Sequence, residues 1–308
     1  MIDLPFELTI LGSSSAIPAY GRHHSTQHLR VGNKNYLIDC GEAAQNQLQR
    51  FKLKPQRIDA IFISHLHGDH YLGLVGLLSS MHLLGRKRKL DLFGPLGLGN
   101  VITLHLKYSD TVLRYPLDFH PLDVETQVQI YEDKYVTVKT IPLKHRVPCT
   151  GFLFREKQIE PRLRKQRLPA NLSIEQIRKL KKGEDLVNPQ GDILYKNREL
   201  TMPPRKSRSY AYCSDTVYLP ENARLLKSVD ILYHEATFMT EKELRASHTL
   251  HATAGQAAEL AKKAKVNKLL LGHFSARYKD LSPLLREASG IFKNVYLAEE
   301  GQVFMPDE

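Results

Sequence analysis

The chain has 308 residues, 42% hydrophobic and 25% charged, with a formal charge of +11. This is the size of one large domain or two small ones, and the composition of a globular chain that buries a core. No apolar run approaches the roughly 18 residues needed to span a bilayer, and the start, MIDLPFELTILG, lacks the basic region and small-residue cleavage site of a signal peptide.

Along the chain, strands alternate with helices. FELTILG reads as a strand entering a Gly-Ser turn, and NKNYLIDCG as an apolar run ending on Asp39. GEAAQNQLQRF has helical spacing. IDAIFISH is a continuous apolar run, the pattern of a strand covered on both faces. YLGLVGLLSSMHLLG reads as a buried helix and KLDLFGP as the next strand. YVTVKTIPL alternates with period two, and GFLFRE follows. YAYCSD, VDILYHEAT and NKLLLGHF each read as a strand ending in polar residues. Helices are expected at about 253–265 and 282–292, and NVYLAEEGQVFMP as a closing hairpin.

Residues 155–208 break this rhythm. They hold fifteen Lys or Arg against seven Asp or Glu, an excess of eight within the chain's +11. Inside lies SIEQIRKLKKG, where Ser173 with Gln176 is a capping-box pattern and Gly183 ends the helix. Ile174, Ile177 and Leu180 form a narrow apolar stripe, with Arg178, Lys179, Lys181 and Lys182 on the other faces. Composition leaves two readings open: a solvated surface insertion, or an arm that grips phosphates. Excess basic charge suggests an anionic partner, nucleic acid ahead of membrane. The three cysteines, Cys40, Cys149 and Cys213, show no framework spacing, which argues for a reducing compartment, the cytoplasm by default.

The chemistry concentrates in SHLHGDH. His65, His67, Asp69 and His70 fall within six positions directly after a strand. A transition-metal site needs several imidazoles and carboxylates converging within a few ångströms. His65 and His67 alternate and so point to one side of an extended stretch. Gly68 permits a sharp turn, and Asp69 and His70 open the next helix toward a second point. One loop thus offers two ligands to each of two metals. Further candidates close other apolar runs: His145, Asp215, His234 with Glu235, and His273. In one layered sheet they converge on one edge.

At these residues the chain resembles the metallo-β-lactamase superfamily, through its H-x-H-x-D-H signature, and more closely the ribonuclease Z family of tRNA 3′-processing endonucleases. LGSSSAIPAYGR, LIDCGEAAQNQ, PPRKSR, HEATF, HATAGQAA and LLGHFSARY each resemble a family element, with Ala43 and Ala44 replacing a Gly-Thr pair. The resemblance implies a four-layer αββα sandwich over 1–308 as a single domain, with a flexible tRNA-binding arm inserted at 156–206. It implies two zinc ions per subunit. His65, His67 and His145 would hold one; Asp69, His70 and His273 would hold the other; Asp215 would bridge them.

The implied reaction removes 3′ trailers from precursor tRNA, leaving a 3′-hydroxyl on the tRNA. Metal-held hydroxide would attack in line, with Asp69 as proton acceptor. His251, just before a helix whose Thr253 and Gln256 form another capping box, would protonate the leaving 3′ oxygen. His234 and Glu235 would orient His251 or contact the phosphate. Arg277 would reach a phosphate, and Arg178, Lys179, Lys181, Lys182, Arg205 and Lys206 would contact the tRNA backbone. A homodimer without membrane attachment is expected. His23, His24, His82 and His248 read as bystanders, and Cys213 as a small buried hydrophobe. Two competing readings are another phosphodiesterase of the superfamily, acting on cyclic nucleotides or as a 3′ exonuclease, and a non-catalytic nucleic-acid-binding protein.

Overall fold

A computed structural model describes residues 4–158 and 160–307. The chain forms two compact units, Met1–Arg155 with Arg208–Glu308, and Glu156–Ser207.

The larger unit is built on two seven-stranded sheets. The first contains β1 (Phe6–Gly12), β2 (Thr26–Val31), β3 (Lys34–Cys40), β4 (Ala60–Phe62), β5 (Leu90–Gly94) and β6 (Leu117–Pro121), closed by β18 (Val303–Phe304) beside β1. The second runs β17 (Val295–Leu297), β16 (Lys268–Gly272), β15 (Ile231–Glu235), β14 (Ser209–Cys213), β9 (Thr150–Glu156), β8 (Val136–Pro142) and β7 (Gln129–Glu132). Strands alternate their side chains between faces, and that alternation builds the layers. Phe6, Leu8, Ile10, Tyr36, Ile38 and Phe62 point inward from the first sheet. They meet Phe152, Phe154, Tyr210, Tyr212 and Tyr233 from the second. The outward residues Leu37, Ile61 and Leu92 pack under α1 (Ala44–Arg50), α2 (Gly68–Leu83) and α3 (Gly97–Tyr108). Leu232, Leu269 and Leu271 pack under α7 (Ala254–Ala264) and α8 (Ser282–Ser289). The result is an αββα sandwich.

Several expectations are revised. The last two strands form no hairpin: β17 pairs with β16 in one sheet and β18 with β1 in the other. The final segment therefore crosses between sheets, turning at Gly301 in the left-handed region (φ +87). Helix α2 buries one face only, since Leu72 and Leu83 are exposed. Gly68 is not a sharp turn; it is the first residue of α2, with His67 as its N-cap.

The smaller unit has its own core of Leu180, Leu186 and Leu200, flanked by Leu163, Leu168 and Leu172. It contains α4 (Ile174–Lys181), α5 (Asn197–Leu200) and short antiparallel pairs, β10 (Arg162–Leu163) with β13 (Thr201–Met202) and β11 (Leu186–Val187) with β12 (Ile193–Tyr195). The Ser173–Gln176 capping box on α4 is present in full. Asn197 Nδ2 donates to the carbonyls of Leu180 and Glu184, tying α5 to the end of α4 and the turn after it. Ile174 does not join the apolar stripe; it is exposed, and Leu180 alone is fully buried. The insertion is thus a folded unit rather than a solvated loop.

Candidate metal centre

Parallel pairing of β3 with β4, and of β14, β15 and β16, carries the strand carboxyl ends to one rim, where loops gather functional groups. The groups come from both sheets, not from one sheet edge. His65, His67, Asp69 and His70 follow β4. His145 follows β8, Asp215 follows β14, and His273 follows β16.

They form two nests. In the first, His67 Nδ1 lies 3.2 Å from His65 Nε2 and 3.1 Å from His145 Nε2. Asp215 Oδ2 stands 3.6 Å from both of those Nε2 atoms. In the second, His70 Nε2 and His273 Nε2 are 3.3 Å apart. Asp69 Oδ2 lies 3.3 Å from His70 and 3.2 Å from His273, and Asp215 Oδ1 lies 3.4 and 3.1 Å from the same nitrogens. Asp215 therefore gives one oxygen to each nest. In both, the donor atoms lie within 4.8 Å of one another.

This arrangement fits divalent cations. Nitrogen and oxygen ligands about 2.0–2.1 Å from a tetrahedral ion stand about 3.3 Å from one another, the spacing seen here. Asp215 Oδ1 is buried without a hydrogen-bond partner, a costly state unless a cation satisfies it. Burial and the neighbouring His70 hold the His65 imidazole well below its usual pKa, neutral as a ligand must be.

Outer hydrogen bonds aim the rings. His70 Nδ1 donates to Asp39 Oδ2 at 2.7 Å, His145 Nδ1 to the Leu250 carbonyl at 2.8 Å. Ser64 Oγ gives its proton to Asp39 and so accepts from His65 Nδ1 at 3.0 Å. Thr237 Oγ1 gives its proton to Glu235 Oε2 and accepts from His273 Nδ1 at 2.8 Å. Four rings thereby turn a bare Nε2 inward, the usual outer support of a metal-binding histidine. Asp39, Leu250 and His273 all adopt the left-handed backbone (φ 52, 58 and 58), a local cost accepted where geometry is over-determined.

Beside the nests, His251 Nδ1 donates to Glu235 Oε1 at 2.8 Å. Glu235 is fully buried and accepts the backbone N–H of Thr216 at 2.9 Å. Burial alone would lower the His251 imidazole, yet the Glu235 carboxylate pushes it up to about 9. Its ring lies 4.9 Å from His145 and 5.4 Å from His273, centre to centre.

A family model described as Anti-Pycsar protein Apyc1 matches residues 6–160, and one described as a beta-lactamase superfamily domain matches residues 200–274. The first spans His65 to His145 but ends before Asp215, Glu235, His251 and His273. The full-length relatives decide. A ribonuclease Z of Cytophaga hutchinsonii is 52% identical over 98% of this chain and 96% of its own. The chain belongs to the ribonuclease Z family. The human tRNase Z short form has the same fold at TM-score 0.71, with 27% identity over 98% of this chain and 100% of that one. The metallo-β-lactamase fold protein YhfI from Bacillus subtilis matches at TM-score 0.69 and 17% identity, over 98% of this chain and 99% of that one. The αββα sandwich is thus the metallo-β-lactamase fold.

Other candidate residues fall in different places. His234 is not with the nests: alternation along β15 turns it away from Glu235, and its Nδ1 bonds the Glu235 carbonyl. The pairing with His251 belongs to Glu235 alone. Arg277 is exposed after β16, its guanidinium 5.1 Å over the Phe238 ring, which meets His251. In the smaller unit, Arg178, Lys179, Lys181, Lys182 and Lys206 are exposed, and Lys181 pairs with Glu160 at 3.1 Å. Arg205 departs from a backbone-contact role. Both its terminal nitrogens bond the buried Glu156 carboxylate, at 2.6 and 2.7 Å. His23 is tied to Glu300, His82 accepts the Arg114 N–H, and His248 is exposed on α6 (Glu243–Thr249). The cysteines are free and buried.

Sequence reading did not place Asp39, Ser64, Thr237 or Tyr212 in the site. Their signal was faint: Asp39 ends an apolar run, as ligands elsewhere do, but its partner His70 lies 31 positions away.

Proposed function

We propose that the two nests hold two zinc ions per subunit and that the chain cuts precursor tRNA on the 3′ side, leaving a 3′-hydroxyl on the tRNA. The observation that carries this is Asp215, divided between two nests, with the hydrogen-bonded His251–Glu235 pair beside them. His65, His67 and His145 would hold one cation, Asp69, His70 and His273 the other, and Asp215 both. Bound there, the cations would supply a nucleophile from water at neutral pH and offset the charge that builds on phosphorus. Asp69 takes the proton from the attacking water. Glu235 holds His251 Nδ1, so His251 Nε2 faces the substrate and gives its proton to the departing 3′ oxygen. Arg277, exposed beside Phe238, would contact a phosphate.

The smaller unit holds the tRNA by its backbone through Arg178, Lys179, Lys181, Lys182 and Lys206. Such contacts give affinity without reading sequence. A homodimer is supported by apolar side chains left exposed on the outer helices: Leu83, Leu104, Tyr108 and, after α3, Val112. No described helix is long and apolar enough to cross a membrane, and three unpaired cysteines agree with a cytoplasmic setting.

The deciding experiment is incubation of zinc-loaded protein with a precursor tRNA carrying a 3′ trailer, with the cut mapped. Cleavage at the trailer junction that Asp69→Ala abolishes, with tRNA binding retained, is the expected outcome. Hydrolysis confined to small diesters would favour a different phosphodiesterase.

A further inference from the structure

The nests are assembled from two sheets, and opposed atoms stand 3.1–3.6 Å apart across the join. A slip of a few tenths of an ångström between sheets would open them. The inter-sheet core is largely aromatic and aliphatic, and such packing has little directional preference. Directional links cross the join at several points, the Thr150 N–H on the Ser64 carbonyl among them; one comes from a tyrosine. The Tyr212 hydroxyl, from the second sheet, donates to Asp39 Oδ2 of the first at 2.6 Å. That oxygen also accepts His70 Nδ1 at 2.7 Å. Tyr212 lies three residues before Asp215, whose Oδ1 faces His70 Nε2 at 3.4 Å. The strand that presents the shared carboxylate to one nitrogen of His70 therefore also anchors the group holding the other.

Two neighbouring tyrosines give an internal comparison. Tyr233 stacks on Tyr212 at 5.0 Å, but its buried hydroxyl has no partner. The Tyr210 hydroxyl donates to Gln27, away from the nests. All three rings fill the same core; one of the three hydroxyls reaches the site.

We propose that Tyr212 is a positioning residue for the metal centre: its hydroxyl fixes Asp39, and through Asp39 the His70 ring, and so sets the affinity of the Asp69, His70, Asp215 and His273 nest for its cation. This rests on the reading of the nests as metal sites. Truncating an outer hydrogen bond of this kind weakens metal binding about 10- to 100-fold.

The test is stepwise zinc titration of the metal-free full chain against a chromophoric chelator. In Tyr212→Phe, one binding step should weaken about 10- to 100-fold while the other changes little; Tyr233→Phe and Tyr210→Phe should leave both within about twofold. Combined with Asp39→Asn, Tyr212→Phe should add little, because the two act through one bond. Equal behaviour of the Tyr212 and Tyr233 variants, or equal loss at both steps, overturns the proposal. If Tyr212→Phe does not fold, Asp39→Asn alone should weaken the same step, and unchanged affinity there also overturns it. Wild-type protein that binds no divalent cation overturns the reading of the nests instead.

Discussion

At the residue scale, the chemistry divides between groups that face the nests and groups that face those groups. In the proposed reaction His251 would stand with the reacting atoms. Its charge is sustained by Glu235, a carboxylate that three protein donors, His251 itself, Thr216 and Thr237, keep ionised in a buried setting. We expect His251→Ala to lower kcat on precursor tRNA by about 10²- to 10⁴-fold, with zinc content measured by mass spectrometry unchanged. Glu235→Gln should fall in the same direction. Away from the site, His28 on β2 offers a pH prediction. Burial lowers it to about 4, against a hydrogen bond from its Nε2 to Asn35 Oδ1 that raises it. The folded chain holds it neutral while the unfolded chain protonates it near 6.5. Its contribution is present in full above pH 6.5 and is lost as pH falls toward 4, at about 1.4 kcal/mol per unit, roughly 3 kcal/mol in total. The slope of unfolding free energy against pH over that window should be shallower in His28→Gln. The motif residues His65 to His70 were legible because a single loop holds them. Asp39 and Tyr212 were not, because their roles exist only where two sheets meet.

At the scale of elements, the two capping boxes read from Ser173–Gln176 and Thr253–Gln256 are both formed. The Thr253 cap is buried, and it starts α7 two residues after His251. Thr253→Ala should cost about 1–2 kcal/mol by denaturant unfolding. The long periodic strands and α7 were legible for the same reason: their patterns are local. Strand β2 and helix α3 were not anticipated. In β2, Gln27 and His28 are buried polar residues that break the apolar alternation. Helix α3 opens on Gly97-Leu-Gly99 with no side-chain cap. The smaller unit was legible as basic but not as folded, because its leucine core joins residues far apart in sequence. Its exposed face carries the charge, so replacing Arg178, Lys179, Lys181 and Lys182 with Ala should weaken precursor tRNA binding. It should also flatten the salt dependence of that binding by up to about 0.9 per lost phosphate contact. Hydrolysis of bis(p-nitrophenyl)phosphate should be largely unaffected. Arg205→Ala acts differently: loss of the Glu156 pair should speed hydrogen exchange within 156–207.

At the scale of the molecule, the two nests are a clasp between sheets, since each contains side chains from both. A ligand that binds only the folded state stabilises it by about 4 kcal/mol at 1,000 times its dissociation constant. Removing the metal with a chelator should therefore lower the melting temperature by several degrees, and zinc should restore it. Calorimetry of the metal-free and reloaded chain measures this. A chelator without effect on stability would mean that the nests close without a cation.

The sequence by itself determined the strand-then-ligand rhythm, the loop from His65 to His70, the basic insertion and both helix caps. Each is written within a few residues, where spacing and side-chain chemistry suffice. The tertiary structure decided what depends on residues meeting across distance. It divided Asp215 between two nests, gave His251 to Glu235 and not to His234, and used Arg205 to hold Glu156. It also sent the final strands to different sheets. These outcomes follow from which faces of two sheets come together, and that is set by the packing of the whole core rather than by any one stretch of chain.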